Sequence, residues 1–351
     1  MSIRYPRPLL PGDRIGVTSP SSGVPERLRG RLDFAVKTVE ARGYEVEVGR
    51  CMDGDAGHVS ASAAERADEL MRMLTDPSIR AVVPPWGGET AIDLLPLLDW
   101  DRLREAEPTW VVGYSDMSTL MTPLTLLTGW ATVHGNNLMD TPYRTPEGLS
   151  SWLDLVALEP GSRITQVPPG RHRTSGWDDW VTSPEVTDLN LDKAGTWRRL
   201  DTTTGTATGT TTDVIVEGRL IGGCTETLCN AIGSPYADLT AFTRQHAPEG
   251  LIVYVEACED SALHICRNLH GMRLAGFFDA ANAVLVGRTS APDSPSLTQD
   301  EAVMDALGGL GVPIIADVEC GHVAPYLPIV NGALGRVVHT PHRSELIQTL
   351  T

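Results

Sequence analysis

The stretch Trp110-Val111-Val112-Gly113-Tyr114-Ser115-Asp116 ends a short apolar strand at a serine. Apolar residues then recur at helical spacing and predict a helix, at Met117, Leu120, Met121 and Leu124. A serine on such a strand-to-helix turn lies at a sheet edge and at a helix N-terminus, where the next backbone N–H can stabilise an oxyanion. The stretch lacks the last glycine of G-x-S-x-G, so a plain helix cap at Ser115 stays an alternative to a nucleophile.

Strand and helix signals alternate on both sides of this turn, within about the first 160 residues. A first helix stops at Gly43, and Ser60 is predicted to cap a second helix that runs to about Leu74. The other predicted strands are Arg14–Thr18, Tyr44–Val48, Ala81–Val83 and Ala131–Val133. This βαβ rhythm predicts an α/β fold whose N-terminal domain, residues 1–160, is a Rossmann- or flavodoxin-like parallel sheet.

The rhythm breaks at residues 161–213 and returns at residue 214. The break contains Trp177, Trp180 and a Thr/Gly-rich run over 202–212, and it is interpreted as a linker and substrate loop. Residues 214–351 are predicted to form a smaller C-terminal α/β domain, and Asn331-Gly332 within it indicates a hairpin. Its predicted strands are Val214–Val216, Leu251–Val255, Ala283–Val286 and Pro313–Ile315.

Composition excludes several classes of partner. The formal net charge is −17, without a cluster of Lys and Arg, which argues against binding to nucleic acid or to an anionic membrane. There is no apolar run of membrane-spanning or signal-peptide length, and the six cysteines form no C-x-x-C pair. We therefore expect a cytoplasmic protein with reduced thiols. Metal-ligand and dinucleotide motifs are absent, so neither a metal nor a cofactor is expected.

A second glycine-containing turn, Pro85-Trp86-Gly87-Gly88-Glu89, follows the predicted strand Ala81–Val83. Paired glycines let a backbone N–H approach a ligand closely, although a plain tight turn explains them equally well. If this strand neighbours the one before Ser115, the N–H groups of Gly88 and Asp116 converge on one point. That arrangement would form an oxyanion hole.

A serine nucleophile also needs a base and a partner that orients the base. His322 lies in Cys320-Gly321-His322, shortly after the last predicted parallel strand, and His134 follows another strand and competes with it. Glu256 directly follows the apolar run Leu251–Val255. An acid in that position can point into the crevice at the strand ends, or it can serve as a helix cap or a structural hydrogen-bond acceptor.

Taken together, these pieces resemble the LD-carboxypeptidase / microcin C immunity family of serine peptidases. The resemblance runs from Pro11-Gly12-Asp13-Arg14-Ile15-Gly16-Val17 to Leu327-Pro328-Ile329. Its intermediate landmarks are Leu95–Asp99, Gly113–Asp116, Gly218–Cys224, Val255-Glu256 and Gly321-His322. The motifs are short, but their order at successive strand ends is specific.

The resemblance implies a Ser115–Glu256–His322 triad and a homodimer. Where LD-carboxypeptidases have Arg-Gly-Gly-Tyr-Gly, this chain has Trp86-Gly87-Gly88-Glu89-Thr90, which disfavours murein-tetrapeptide specificity and makes Trp86 and Glu89 candidate substrate-binding residues. Trp177 and Trp180 are similar to the aromatic loop of the microcin-immunity branch, which stacks on a nucleotide base. Alternatively, both tryptophans pack the domain junction.

The predicted function is therefore hydrolysis of an amide bond in a small peptidyl or aminoacyl nucleotide. One alternative is an LD-carboxypeptidase that trims murein tetrapeptides, which predicts a basic group for the substrate carboxylate. The other is a catalytically silent ligand-binding protein, which predicts a broken triad.

Overall fold

The protein was analysed as a computed structural model that describes residues 2–174, 176–202 and 213–351. Nearly all of the predicted Thr/Gly-rich run, residues 203–212, lies outside the described residues. The strands are β1 (Arg14–Val17), β2 (Glu45–Val48), β3 (Ile79–Val83), β4 (Trp110–Gly113), β5 (Thr132–His134), β6 (Arg163–Gln166), β7 (Arg171–His172), β8 (Lys193–Ala194), β9 (Arg198–Arg199), β10 (Val214–Cys224), β11 (Leu251–Glu256), β12 (Ala281–Gly287), β13 (Ile314–Val318), β14 (Ile329–Asn331), β15 (Leu334–Thr340) and β16 (Arg343–Thr349). The α-helices are α1 (Arg29–Glu40), α2 (Ala63–Thr75), α3 (Trp100–Glu105), α4 (Ser118–Thr128), α5 (Trp152–Val156), α6 (Thr225–Leu228), α7 (Leu239–His246), α8 (Ala262–Leu274) and α9 (Gln299–Leu307).

The first sheet has the strand order β2-β1-β3-β4-β5-β14. The first five of these strands are parallel and β14 pairs antiparallel with β5, so the parallel part has the doubly wound order of flavodoxin-like folds. Side chains of β3 alternate between two cores: Ala81 and Val83 pack with α1, and Ile79 and Val82 pack with α2 and α4. Helices cover both faces, as the sequence predicted.

The second sheet has the strand order β6-β16-β15-β10-β11-β12-β13-β9. Strands β10 to β13 are parallel, and the flanking strands are antiparallel. Two edge strands, β6 and β9, come from the segment interpreted as a linker and substrate loop, and β14 of the predicted C-terminal domain belongs to the first sheet. The second sheet is therefore larger than residues 214–351 alone provide.

The helix after Ser115 joins the two sheets. Thr122 on α4 donates to the carbonyl of Gly222 at 2.8 Å, and the Cys224 N–H donates to Ser118 Oγ at 3.0 Å. A Cβ at Gly223 would lie 2.6 Å from Ser118 Cβ, so the glycine permits this close approach. The turn that carries Ser115 is thus held against strand β10.

Two local predictions were wrong. Ser62, and not Ser60, caps α2: its hydroxyl accepts the Glu65 N–H, and the Glu65 carboxylate accepts the Ser62 N–H at 3.1 Å. Asn331-Gly332 joins strands of two different sheets, because β14 pairs with β5 whereas β15 pairs with β10 and β16. The hairpin instead turns at residues 341–342, between β15 and β16.

None of the helices in the described part of the chain is both long enough and apolar enough to span a bilayer. All six cysteines are free thiols. The cytoplasmic location and the homodimer stay predictions.

Candidate active site

Ser115 lies directly beyond β4 in a strained conformation. Its φ is +64°, in the left-handed region that side chains other than glycine rarely adopt, and it opens a 3-10 turn that leads into α4. The N-cap positions of this turn and of α4 are Tyr114 and Met117, so Ser115 occupies neither of them. The alternative of a plain helix cap therefore does not explain this backbone, whereas strain of this kind is common where a side chain must be presented to a ligand.

The glycine turn after β3 lies against Ser115, because β3 and β4 are neighbours in the sheet. A Cβ at Gly87 would lie 2.8 Å from Ser115 Cβ, 2.9 Å from Ser115 Oγ and 3.3 Å from the Asp116 nitrogen. Gly88 has a φ of +149°, and a Cβ there would lie 2.3 Å from Ser21 Oγ. Neither position tolerates a side chain, so the backbone of this turn can approach whatever Ser115 contacts.

The Asp116 side chain holds the neighbouring turns in place through hydrogen bonds. Its buried carboxylate accepts hydrogen bonds from Ser21 Oγ at 2.6 Å and from the Ala91 N–H at 2.8 Å, which ties the segments that follow β1 and β3 to the Ser115 turn. The only sign of Ser21 in the sequence was its position in a Ser- and Pro-rich turn after β1. Trp86 does not point freely into solvent, because its Nε1–H donates to the Ser22 carbonyl at 3.0 Å.

Glu256 and His322 come together at the carboxyl ends of β11 and β13. His322 Nδ1 lies 2.7 Å from Glu256 Oε2, and both side chains are buried. Gly321 has a φ of +101°, and a Cβ there would lie 2.4 Å from Glu256 Oε2. The glycine before His322 is therefore required for the carboxylate to reach the imidazole, which argues against the helix-cap alternative for Glu256.

The electrostatics of Glu256 and His322 favour a carboxylate next to an imidazolium. Burial would raise the pKa of Glu256, but His322 and His134 lower it to about 2. Burial lowers the pKa of His322, but the Glu256 carboxylate and Cys258 raise it well above its usual range. The carboxylate thus stabilises an imidazolium, which is the state that a general base reaches after it accepts a proton.

His134, the competing histidine, lies on the other side of Glu256. Its Nε2 is 3.8 Å from Glu256 Oε1, and neither atom has a hydrogen-bond partner among the described residues. The His134 ring packs edge-on against Tyr254, with ring centroids 5.1 Å apart. His134 is therefore a neighbour of Glu256 on the side away from His322.

Ser115 and His322 line one cavity of about 720 Å³ between the two sheets. Gly88, Asp116, Trp86, Glu89, Trp177 and Trp180 also line it, so the structure brings every predicted site residue except the buried Glu256 to its wall. Among the described residues, Arg27 is the one Lys or Arg side chain in that wall.

The two tryptophans differ in environment. The Trp177 side chain is 55% exposed, and its ring lies edge-on to His322 with centroids 6.3 Å apart. Trp180 is half-buried: its ring lies 4.9 Å from the Arg31 guanidinium, and its Nε1–H donates to Tyr143 Oη at 2.9 Å. Packing accounts for Trp180, whereas Trp177 has a ring available to a ligand.

A carboxylate that sequence reasoning missed shapes the loop after Glu256. Glu226, on α6, accepts backbone N–H groups from Cys258 at 3.0 Å, Glu259 at 2.8 Å and Asp260 at 2.6 Å. All four residues line the cavity. An acid two residues after Gly222-Gly223-Cys224 carries no recognisable signal in the sequence, because its partners are backbone groups 32 to 34 residues away.

Away from Ser115, the described residues contain one group of three metal-ligating side chains, Cys266, His270 and Asp305. His270 Nε2 lies 2.9 Å from Asp305 Oδ2, and Arg273 donates to His270 Nδ1 at 3.3 Å. This hydrogen bonding leaves Nε2 as the protonated nitrogen, which is a donor to Asp305 and a poor metal ligand. That no metal takes part in the function stays a prediction.

Comparison with known proteins places this site in a family context. The LD-carboxypeptidase N-terminal domain model matches residues 15–135, and the LD-carboxypeptidase C-terminal domain model matches residues 217–337. The microcin C7 self-immunity protein MccF of Escherichia coli is 25% identical over 93% of this chain and 90% of its own. A Vibrio cholerae relative whose name places it among carboxypeptidases is 26% identical over 97% of both chains.

Solved structures show the same fold. An inactive mutant of MccF in its apo state superposes with a TM-score of 0.79 at 22% identity, covering 99% of this chain and 98% of that chain. MccF in complex with aspartyl sulfamoyl adenosine superposes with a TM-score of 0.75 at 21% identity, with the same coverage. The muramoyltetrapeptide carboxypeptidase of Oxalobacter formigenes gives 0.67 at 19% identity, covering 95% of this chain and 98% of that chain.

Proposed function

Because the chain belongs to the LD-carboxypeptidase family of peptidases, we propose that it is a serine hydrolase that cleaves an amide bond in a small peptidyl or aminoacyl nucleotide. The observation that carries the substrate class is Trp177. Its largely exposed ring stands 6.3 Å from the His322 ring, in the cavity that Ser115 lines. MccF, whose structures include complexes with aminoacyl sulfamoyl nucleosides, supports the same substrate class.

Ser115, His322 and Glu256 carry the chemistry in this proposal. Ser115 Oγ attacks the substrate carbonyl, and His322 accepts the hydroxyl proton through Nε2 while its Nδ1 faces Glu256. The tetrahedral intermediate collapses, the C–N bond breaks, and His322 returns the proton to the leaving nitrogen. Water then hydrolyses the acyl ester by the same proton relay, which regenerates Ser115.

The oxyanion of the intermediate is assigned to the backbone N–H groups of Gly88 and Asp116. The close approach of the Gly87-Gly88 turn to Ser115 supports this assignment, as does the position of Asp116 directly after the strained serine. Removal of one such donor costs about 10²–10³ in rate in well-studied hydrolases.

The nucleotide base is assigned to Trp177. An indole offers a flat apolar face, and stacking of a base on an aromatic side chain contributes about 1–3 kcal/mol. Trp180 has a supporting role, since Arg31 and Tyr143 occupy part of its surface.

The LD-carboxypeptidase alternative rests on Arg27. Its exposed guanidinium lines the cavity and has the charge that the terminal carboxylate of a murein tetrapeptide requires. The silent-binder alternative has less support, because a serine, an acid and a histidine are all present and the last two are hydrogen-bonded.

A substrate panel separates these functions. Purified protein is incubated with an aminoacyl sulfamoyl adenosine and with a murein tetrapeptide, and products are followed by mass spectrometry. The proposal predicts release of the amino acid from the nucleoside and little cleavage of the tetrapeptide. Release of D-alanine alone, lost in an Arg27→Gln variant, would establish the carboxypeptidase alternative. If neither compound is cleaved, both enzymatic hypotheses are contradicted for these substrate classes.

A further inference from the structure

The wall of the cavity is strongly acidic. Eight carboxylates line it, against one Lys or Arg side chain among the described residues. The acidic residues are Glu89, Asp116, Asp140, Asp178, Asp179, Glu226, Glu259 and Asp260. A cavity lined by charge of one sign concentrates ligands of the opposite sign and repels those of the same sign.

Several of these carboxylates are already committed within the protein. Asp116 binds Ser21 and Ala91, and Asp178 pairs with Arg173 at 2.6 Å and accepts Tyr143 Oη at 2.6 Å. These residues have structural partners and need no ligand to explain them.

Glu89 and Glu259 differ because neither forms an ion pair or a side-chain hydrogen bond with another described residue. Partial loss of hydration at the cavity wall raises the pKa of Glu89, and so do the neighbouring carboxylates of Glu259, Asp116 and Glu226. All the charged groups that act on Glu89 are thus carboxylates. We call Glu89, Glu226 and Glu259 the acidic wall.

Asp140 contributes a buried carboxylate to the cavity wall. Its side chain is 2% exposed and lines the cavity, and Tyr114 Oη donates to its Oδ2 at 3.3 Å. Its Oδ1 has no hydrogen-bond partner among the described residues. Burial raises the pKa of Asp140 to about 6, against the nearby Arg31 guanidinium, which lowers it. Buried polar atoms are nearly always paired, so Asp140 Oδ1 can accept a hydrogen bond from a cationic group in the cavity.

The acidic wall lies beside the residues proposed to bind the scissile carbonyl. Glu89 directly follows Gly88, the proposed oxyanion donor, and Glu226 holds the backbone of Cys258 to Asp260 just after Glu256. The side chain of the acyl residue branches from the Cα next to the scissile carbonyl, so it is the part of a substrate that this wall reaches. Building on the proposed hydrolase function, we infer that the protein selects substrates whose acyl residue has a cationic side chain, an ammonium or a guanidinium, and rejects acidic ones.

A matched series of substrates tests this specificity. Lysyl, norleucyl and glutamyl sulfamoyl adenosine share one scaffold and differ in the charge at the end of the acyl side chain. We expect kcat/KM to be about tenfold or more higher for the lysyl than for the norleucyl compound, and lowest for the glutamyl compound. The lysyl advantage should shrink as salt rises, because Glu89 and Glu259 are exposed.

Variants assign the preference to the wall. Glu89→Gln and Glu259→Gln should each reduce the ratio of lysyl to norleucyl kcat/KM. Glu105→Gln removes an exposed carboxylate outside the cavity and is the matched control, which should leave the ratio unchanged. A ratio near one in the wild-type protein, or equal ratios in wild type and both wall variants, would overturn the inference.

Two further arms separate this inference from the proposed hydrolase function. Calorimetric binding of the lysyl and norleucyl compounds to the Ser115→Ala variant reports charge selection without hydrolysis. Lysyl-D-alanine and norleucyl-D-alanine dipeptides report it without a base. A lysyl preference in either arm supports cationic selection even if no nucleotide is hydrolysed, and equal behaviour in both arms would overturn it.

Discussion

His322 Nδ1 lies 2.7 Å from Glu256 Oε2, in a buried hydrogen bond that links the carboxyl ends of two parallel strands. The carboxylate fixes the imidazole with Nε2 free for the substrate side, and it favours the charged imidazolium. The proposed proton transfer depends on this pair, and the charge of Glu256 should be visible in the pH dependence of the activity.

Activity should rise with pH through a pKa above the ordinary value of histidine. Only neutral His322 can accept a proton, and Glu256 raises the pKa of His322 well above 6.5. The Glu256→Gln variant loses the charge that raises this pKa, while burial, which lowers the pKa, remains. Its profile of kcat/KM against pH should therefore shift to lower pH, and its rate should fall by about 10⁴. An unshifted profile would contradict the assignment of the base.

His134 should support Glu256 without touching the substrate. His134→Phe keeps an aromatic ring against Tyr254 but removes the polar nitrogen 3.8 Å from Glu256 Oε1. Loss of a polar neighbour of a buried charge costs about 1–2 kcal/mol, so kcat should fall by about tenfold while KM stays constant. A rise in KM with constant kcat would place His134 in substrate binding instead.

The Gly87→Ala variant should be nearly inactive. The added Cβ would lie 2.9 Å from Ser115 Oγ and 3.3 Å from the Asp116 nitrogen, so it displaces both the nucleophile and an oxyanion donor. We expect a loss of at least about 10² in kcat. Gly57→Ala is the control, since a Cβ there meets nothing within 4 Å. Equal activities of the two variants would remove the Gly87 turn from the site.

Substitution of Trp177 should affect substrate binding, whereas substitution of Trp180 should affect the stability of the fold. Trp177→Ala should lower kcat/KM for a nucleoside-bearing substrate by about one to two decades, with little effect on a substrate without a base. Trp180→Ala should instead lower the free energy of unfolding by about 1–2 kcal/mol, because it loses the contact with Arg31 and the hydrogen bond to Tyr143. Equal losses on both substrates with Trp177→Ala would indicate packing.

Much of this site could be predicted because the carboxyl ends of parallel strands lie at the same edge of a sheet. Ser115, the Gly87-Gly88 turn and Glu256 each follow an apolar strand, and the structure brings their strand ends to one cavity or its immediate border. Strands β3 and β4 are neighbours, which meets the condition for Gly88 and Asp116 to converge, and the oxyanion hole itself stays a prediction.

The features that sequence reasoning missed depend on distant partners. The two-residue strand β9 has no hydrophobic pattern of its own and exists because it pairs with β13, more than a hundred residues away. The role of Glu226 depends on three backbone N–H groups of a loop that lies more than thirty residues further along the chain. Long-range pairing of this kind is set by tertiary packing, which local patterns do not encode. The wrong helix cap is the exception, because Ser62 and Glu65 form a capping box with the local S-x-x-E pattern.

The most direct measurement is the hydrolysis of an aminoacyl sulfamoyl adenosine by wild-type protein and by the Ser115→Ala and Ser115→Gly variants. Both variants should lose at least about 10⁴ of kcat. Ser115→Gly should also be more stable to unfolding by about 1 kcal/mol than Ser115→Ala, because glycine accommodates a φ of +64°. Folded variants without activity would support Ser115 as the nucleophile. Substantial activity in either folded variant would contradict it.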